Sequence, residues 1–77
     1  MARSRLDIML DILGVALNDA TKTKIAFAVN LKIDTVERYL DLLTDEGLIL
    51  MTAQTSTYRT TEKGKDLLKK ASEIALQ

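Results

Sequence analysis

The feature that most constrains this chain is the short interval between its second and third predicted helices. Thr21 is a good N-cap for a helix over residues 22–29, because its hydroxyl can accept a hydrogen bond from an unpaired amide of the first turn. Asn30 then interrupts the apolar pattern and tolerates a left-handed backbone at modest cost. The third helix is predicted from about Ile33 to about Glu46. A turn of only about three or four residues therefore joins the two helices.

The helix that precedes this pair, predicted over residues 4–17, carries two apolar rows. One row recurs at spacings of four, three and four residues and consists of Leu6, Leu10, Leu13 and Leu17. The second row consists of Ile8, Ile12 and Val15. A helix in a small domain normally shows one apolar stripe, so the second row predicts a second partner for this helix.

After the third helix the apolar period changes from that of a helix to that of strands. Gly47 stands where a glycine commonly ends a helix. Residues 48–52 and 57–60 are compatible with short strands, and the small polar residues between them with a turn, which predicts a β-hairpin. Thr61 caps a last helix that is predicted from Glu62 to about Leu76.

The predicted order is helix, helix, tight turn, helix, hairpin, helix. This is a mainly α fold with a small β-hairpin, in which the second and third helices have helix-turn-helix spacing and the hairpin stands where a wing belongs. A chain of 77 residues is enough for one domain, so we expect a single winged helix-turn-helix domain over residues 1–77.

Several short blocks of sequence carry a resemblance to a known family. The blocks are Thr23-Lys24-Ile25, Val29-Asn30-Leu31, Arg38-Tyr39-Leu40-Asp41-Leu42-Leu43, Glu46-Gly47-Leu48-Ile49 and Tyr58-Arg59-Thr60-Thr61-Glu62-Lys63-Gly64, the last being the most telling. The chain resembles the small archaeal winged-helix DNA-binding proteins, a group of chromatin-associated and transcriptional-regulator-like domains. The resemblance implies that the third helix enters the major groove, that the wing touches the adjacent backbone and that two copies associate through their terminal helices. Lys32 departs from the pattern, because such domains often have a small hydroxyl residue as N-cap at this place.

Two residues of the third helix are candidates for base contacts. Thr35 and Arg38 are three residues apart and share a face. Arg38 could bind guanine through two hydrogen bonds or bind a phosphate, and the alternative is an ion pair with Asp34 or Asp41 in its own helix. Asp34 could accept a hydrogen bond from a cytosine amino group, but stabilisation of the first helical turn explains this residue better.

Contacts with the DNA backbone require cations and hydroxyls. The candidates are Lys22, Lys24 and Lys32 around the helix-turn-helix, Gln54, Thr55, Ser56 and Thr57 at the wing tip (about residues 53–57), and Arg59 after it. A solvated hairpin turn explains the wing-tip residues equally well. Arg3 and Arg5 are interpreted as a short basic arm.

The charge distribution leaves a second function open. The net charge is zero, from 11 basic and 11 acidic residues, but residues 32–50 hold two basic and five acidic residues, which gives 2 − 5 = −3. Acidic residues on the third helix repel phosphate and limit non-specific affinity. The alternative to DNA binding is therefore a winged helix that binds another protein.

Composition argues against several other classes. The sequence has no cysteine and no histidine, so it lacks the commonest metal ligands, a disulfide and the usual general base. It also lacks a glycine-rich phosphate loop, and we predict neither enzymatic activity nor a cofactor. No apolar stretch approaches the roughly 18 residues of a membrane span, so we expect a cytoplasmic protein.

The second apolar row of the first helix predicts a homodimer. A symmetric dimer that packs first and last helices together would bury Ile8, Ile12 and Val15 with Ala71 and Ile74.

For the aromatic residues the prediction is core packing with a solvent-exposed hydroxyl at Tyr39 and Tyr58, and a core or dimer contact at Phe27.

Overall fold

The order of elements in the computed structural model, which describes residues 3–75 and the side chains of 3–74, matches the predicted order with two additions, a 3-10 turn and a short strand between the first two helices. The elements are α1 (Arg5–Val15), a 3-10 turn (Ala16–Asn18), β1 (Ala20–Thr21), α2 (Lys22–Val29), α3 (Ile33–Asp45), β2 (Ile49–Thr52), β3 (Thr57–Thr60) and α4 (Glu62–Ala75). The mainly α winged helix-turn-helix architecture is thereby confirmed.

The helix ends follow local chemistry that is visible in the sequence. Ser4 caps α1, because its Oγ accepts a hydrogen bond from the Asp7 amide at 3.0 Å while the Asp7 carboxylate accepts from the Ser4 amide at 3.2 Å. The Thr21 hydroxyl accepts from the Lys24 amide at 3.1 Å and begins α2 as predicted. Asn30 ends α2 with a left-handed backbone, φ 59° and ψ 49°.

The three strands form an antiparallel sheet in the order β1-β3-β2. The predicted hairpin of β2 and β3 is confirmed, with Ile49 opposite Thr60 and Thr52 opposite Thr57. The strand β1 was not predicted. It pairs Ala20 with Tyr58 and Thr21 with Thr57, and it thereby fixes the wing beside the first residue of α2.

The core lies between α1, α2, α3 and the sheet. The largest fully buried side chains are Ile12, Leu13, Ile25, Leu40, Leu43, Ile49, Val36 and Thr60. Burial of one such aliphatic side chain contributes roughly 1.5–3 kcal/mol, so these residues supply most of the driving force for folding.

The interpretation of the two apolar rows of α1 needs correction. Ile12 of the second row is fully buried within the chain itself, so it does not lie on a surface that a second copy could reach. In the first row Leu13 is fully buried, whereas Leu6 and Leu17 are 53% and 42% exposed. The side of α1 that faces the core therefore lies between the two rows, because one residue of each row is fully buried.

No helix in the described part of the chain has the length and apolarity that crossing a membrane requires.

Candidate nucleic-acid interface

The helix α3 presents one buried stripe and one outward ridge. Val36, Leu40 and Leu43 are buried, and the residues on the opposite side of the helix are exposed. This outward ridge consists of Asp34, Arg38, Asp41 and Asp45. The surface of α3 that would face a nucleic-acid groove therefore carries one cation and three carboxylates.

The start of α3 is stabilised by Asp34 and not by its N-cap. Lys32 occupies the N-cap position and makes no side-chain capping hydrogen bond. The Asp34 carboxylate instead accepts a hydrogen bond from the Thr35 amide at 2.9 Å. This supports the interpretation of Asp34 as a first-turn residue.

Arg38 has no ion pair or side-chain hydrogen bond within residues 3–75. The ion pair with Asp34 or Asp41, which is the alternative interpretation from the sequence, is not formed within these residues. The guanidinium of Arg38 is exposed and keeps its donors for an external acceptor.

Arg38 lines a shallow depression of about 190 Å³ on the side of α3 that faces the start of α1. The lining residues are Arg5, Thr35, Arg38, Tyr39 and Leu42. Two arginines thus line one depression, one at the first position of α1 and one from α3. This proximity could not be predicted from local sequence patterns, because 33 positions separate the two residues.

The opposite side of α3 faces the wing and is acidic. Glu37 accepts a 2.7 Å hydrogen bond from the Lys22 ammonium of α2, and this bond and the carboxylate charge raise the pKa of Lys22. Asp41 and Asp45 line a shallow groove with Met51 and Tyr58 of the wing strands. The two sides of α3 therefore differ in charge, basic towards α1 and acidic towards the wing.

The wing tip presents hydroxyl and amide groups to solvent. Gln54, Thr55 and Ser56 are exposed, and Ser56 has a left-handed backbone with φ 54°. Thr57 is half-buried, and its Oγ1 lies 2.7 Å from the Thr55 Oγ1. Ser56 shares a groove with Thr21, so the tip lies beside the start of α2.

The remaining predicted cations divide into paired and unpaired groups. Arg59 donates two hydrogen bonds of 2.7 Å to Asp19, one from Nε and one from Nη2. Lys24 and Lys32 are exposed, and neither forms an ion pair with another residue of the range 3–75. Lys22 and Arg59 would have to exchange a carboxylate for a phosphate before they could bind DNA.

The predicted basic arm is wrong for Arg3. The Arg3 guanidinium donates to the Asp11 carboxylate at 3.0 Å and to the carbonyl of Val29 at 2.6 Å. It therefore connects the chain before α1 to the end of α2. Arg5 alone keeps its side chain near the candidate interface.

The residues predicted for a dimer interface differ in accessibility. Ile74 is 73% exposed, Ile8 and Val15 are partly buried against the core, and Ala71 is half-buried. Tyr39 and Tyr58 pack against the core as predicted. Phe27 is 89% exposed, so the prediction of a core position for it is wrong.

Comparisons with known proteins agree with this architecture. The structure is similar to that of Sso10a-2, a DNA-binding protein from Sulfolobus solfataricus, with a TM-score of 0.84 and 27% identity over 95% of this chain and 79% of that chain. It is also similar in fold to the M. tuberculosis transcriptional regulator MosR, with a TM-score of 0.69 and 22% identity over 90% of this chain and 53% of that chain. No curated protein matches the sequence. A family model described as winged helix-turn-helix matches residues 2–76, and the chain belongs to that family.

Proposed function

We propose that this protein binds double-stranded DNA, with α3 in the major groove and the wing tip on the backbone, in a transcriptional-regulator or chromatin-type role. The observation that carries the proposal is Arg38, an exposed guanidinium on the outward ridge of α3 with no acidic partner within residues 3–75. Similarity to Sso10a-2, which is described as a DNA-binding protein, supports the same function.

Each predicted contact has a defined chemical role in this proposal. Arg38 donates either to a guanine edge or to a phosphate, and Thr35 beside it offers a hydroxyl. Lys24 and Lys32 bind phosphates as unpaired cations. The exposed side chains at the wing tip, Gln54, Thr55 and Ser56, donate to backbone oxygens of the neighbouring strand.

The carboxylates of the outward ridge limit how this protein binds DNA. Asp34, Asp41 and Asp45 are exposed on the same side as Arg38 and repel phosphates. Non-specific affinity is therefore low, and few phosphates are neutralised, so affinity falls less steeply with salt than for a polybasic DNA-binding protein.

A homodimer is part of the proposal. Ile74 of α4 is 73% exposed and gives a second copy an apolar contact close to α1, since α1 and α4 pack together within the chain. A two-fold dimer would carry two copies of α3, suited to half-sites about 34 Å apart. Sedimentation of the wild type and of Ile74→Asp tests this: a dimer that the substitution dissociates supports it, and a wild-type monomer at micromolar concentration contradicts it.

Titration of duplex DNA by the wild type, Arg38→Ala and Lys69→Ala at two salt concentrations tests DNA binding. Lys69 is an exposed residue of α4, and its substitution removes the same charge from an element outside the candidate interface. We expect salt-sensitive binding by the wild type, a loss of about 1–3 kcal/mol for Arg38→Ala, and little change for Lys69→Ala. Equal losses in both variants would mean that only net charge matters.

The second candidate function is a protein-binding winged helix. It is favoured by the acidic outward ridge of α3 and by a shallow groove at the helix-turn-helix that includes Phe27, 89% exposed, and Ile33, 41% exposed. If the wild type fails to bind both mixed duplexes and duplexes obtained by sequence selection at low salt, this function replaces DNA binding.

A further inference from the structure

We infer that Arg5 and Arg38 together hold one phosphate of the DNA backbone, at the side of α3 that faces α1 and lies away from the wing. The inference rests on the proposed DNA binding and deepens it in two respects. It assigns Arg38 to a phosphate and not to a base, and it adds Arg5 as a contact residue.

The first argument is electrostatic. Arg5 and Arg38 line the same depression, and neither has an ion pair or side-chain hydrogen bond with any residue in the range 3–75. Two cationic side chains that line one depression without a counter-ion make its electrostatic potential positive. A bound anion offsets this potential, so the depression favours a negatively charged group.

The second argument concerns the shape of the donors. A phosphodiester presents two non-bridging oxygens, and each can accept from one guanidinium, whose planar fork fits such oxygens. Thr35 at the rim adds a hydroxyl donor. The remaining lining is apolar, from the Tyr39 ring and Leu42, which is 43% exposed and suited to contact with a deoxyribose.

The third argument concerns the two sides of α3. On the wing side, Glu37 is exposed and the groove contains Asp41 and Asp45, so this side repels phosphates. On the other side, the lining residues Arg5 and Arg38 are the only charged ones. With α3 in the major groove, the wing tip lies over one strand, and the Arg5–Arg38 depression lies over the other.

The test is the slope of log K against log salt concentration for duplex binding by the wild type, Arg5→Gln, Arg38→Gln, the double variant and Lys69→Gln. Loss of one phosphate contact lowers the magnitude of the slope by about 0.9. In this arrangement the phosphate is held only between the two guanidinium groups, so removal of either group releases it. We therefore expect each single variant and the double variant to lose about the same amount. Arg5→Lys, which keeps the charge but not the fork, should keep the slope and lose affinity.

Several outcomes would overturn the inference while DNA binding itself stands. The first is a slope for Arg5→Gln equal to that of the Lys69→Gln control. The second is a loss of slope in the double variant equal to the sum of the two single losses, and the third is a relaxed sequence preference at one base pair in Arg38→Gln. If the wild type binds inorganic phosphate saturably, Arg5→Gln abolishes that binding and the slope for DNA is unchanged, the depression binds a free anion instead. Absence of wild-type binding would overturn both proposals. Circular dichroism and thermal unfolding establish that each variant is folded.

Discussion

Arg59 and Asp19, which are forty positions apart, are joined by two parallel 2.7 Å hydrogen bonds, from Nε to Oδ1 and from Nη2 to Oδ2. The pair connects the loop before β1 to the outer surface of β3. The hydrogen bonds and the opposite charge of the partner lower the pKa of Asp19 and raise that of Arg59. Arg59, which the sequence predicts to contact the DNA backbone, is therefore paired with the Asp19 carboxylate in the free protein.

Release of Arg59 should strengthen DNA binding. Asp19→Asn removes the competing charge, and asparagine suits the left-handed backbone at this position, where φ is 36°. We expect tighter binding and a slope of log K against log salt steeper by up to about 0.9, the value for one more phosphate contact. The measurement is the duplex titration described above.

The matched control for this prediction is Asp66→Asn. Asp66 is exposed on α4, and its substitution changes net charge by the same amount without altering the Arg59–Asp19 pair. Equal tightening in the two variants would show that net charge, and not the release of Arg59, accounts for the effect.

The same pair predicts a dependence of stability on pH. The folded-state pKa of Asp19 lies below its ordinary value of 3.8, so the unfolded chain binds the proton more readily. The stabilisation by the pair is therefore present above about pH 3.8 and is lost as pH falls through the lower folded-state pKa. Urea unfolding of wild type and Asp19→Asn from neutral to acidic pH should give a difference in free energy that disappears in acid. A pH-independent difference would contradict this account.

The sequence predicts the buried side of a helix correctly only where the apolar residues are confined to one side of that helix. In α3 the apolar residues Val36, Leu40 and Leu43 fall in one stripe at helical spacing, and all three are buried. In α1 apolar residues surround much of the helix, so the pattern does not indicate which side of the helix faces the core. The packing of α2 and α4 decides that Ile12 is inside and Leu6 outside, and this information is not local.

The candidate site was less predictable than the fold for a related reason. Cap residues such as Thr21 and Asn30 act through neighbours in sequence and were predicted correctly. The pairing of Lys22 with Glu37 and the proximity of Arg5 to Arg38 depend on how helices cross. The strand β1 has two residues and is defined only by its pairing with β3, so no periodicity could indicate it.

Two glycines should respond in opposite directions to substitution by alanine. A Cβ on Gly64 would overlap the Leu48 carbonyl oxygen and lie 2.6 Å from the Thr60 Cγ2, while a Cβ on Gly14 meets nothing within 4 Å. We expect Gly64→Ala to cost about 1–3 kcal/mol through overpacking. Gly14→Ala should stabilise α1 by about 0.5–1 kcal/mol, because alanine loses less backbone entropy on folding. Urea unfolding measures both, and a neutral Gly64→Ala would show that α4 can move away from Leu48 and Thr60 at no cost.

The hydrogen bond between the wing and α1 should contribute measurably to stability. The Thr60 hydroxyl donates to the Leu13 carbonyl at 2.6 Å, and Thr60 is 2% exposed. Thr60→Val keeps the branched shape but removes the donor and leaves a buried carbonyl with one partner fewer, at a cost of about 1–3 kcal/mol. Thr52→Val is the matched control, because Thr52 is a half-buried strand residue whose hydroxyl has no hydrogen bond among those formed within residues 3–75. We expect the control to change the free energy of unfolding by at most about 0.5 kcal/mol. If the two variants unfold at the same urea concentration, the contact between β3 and α1 is held by apolar packing alone.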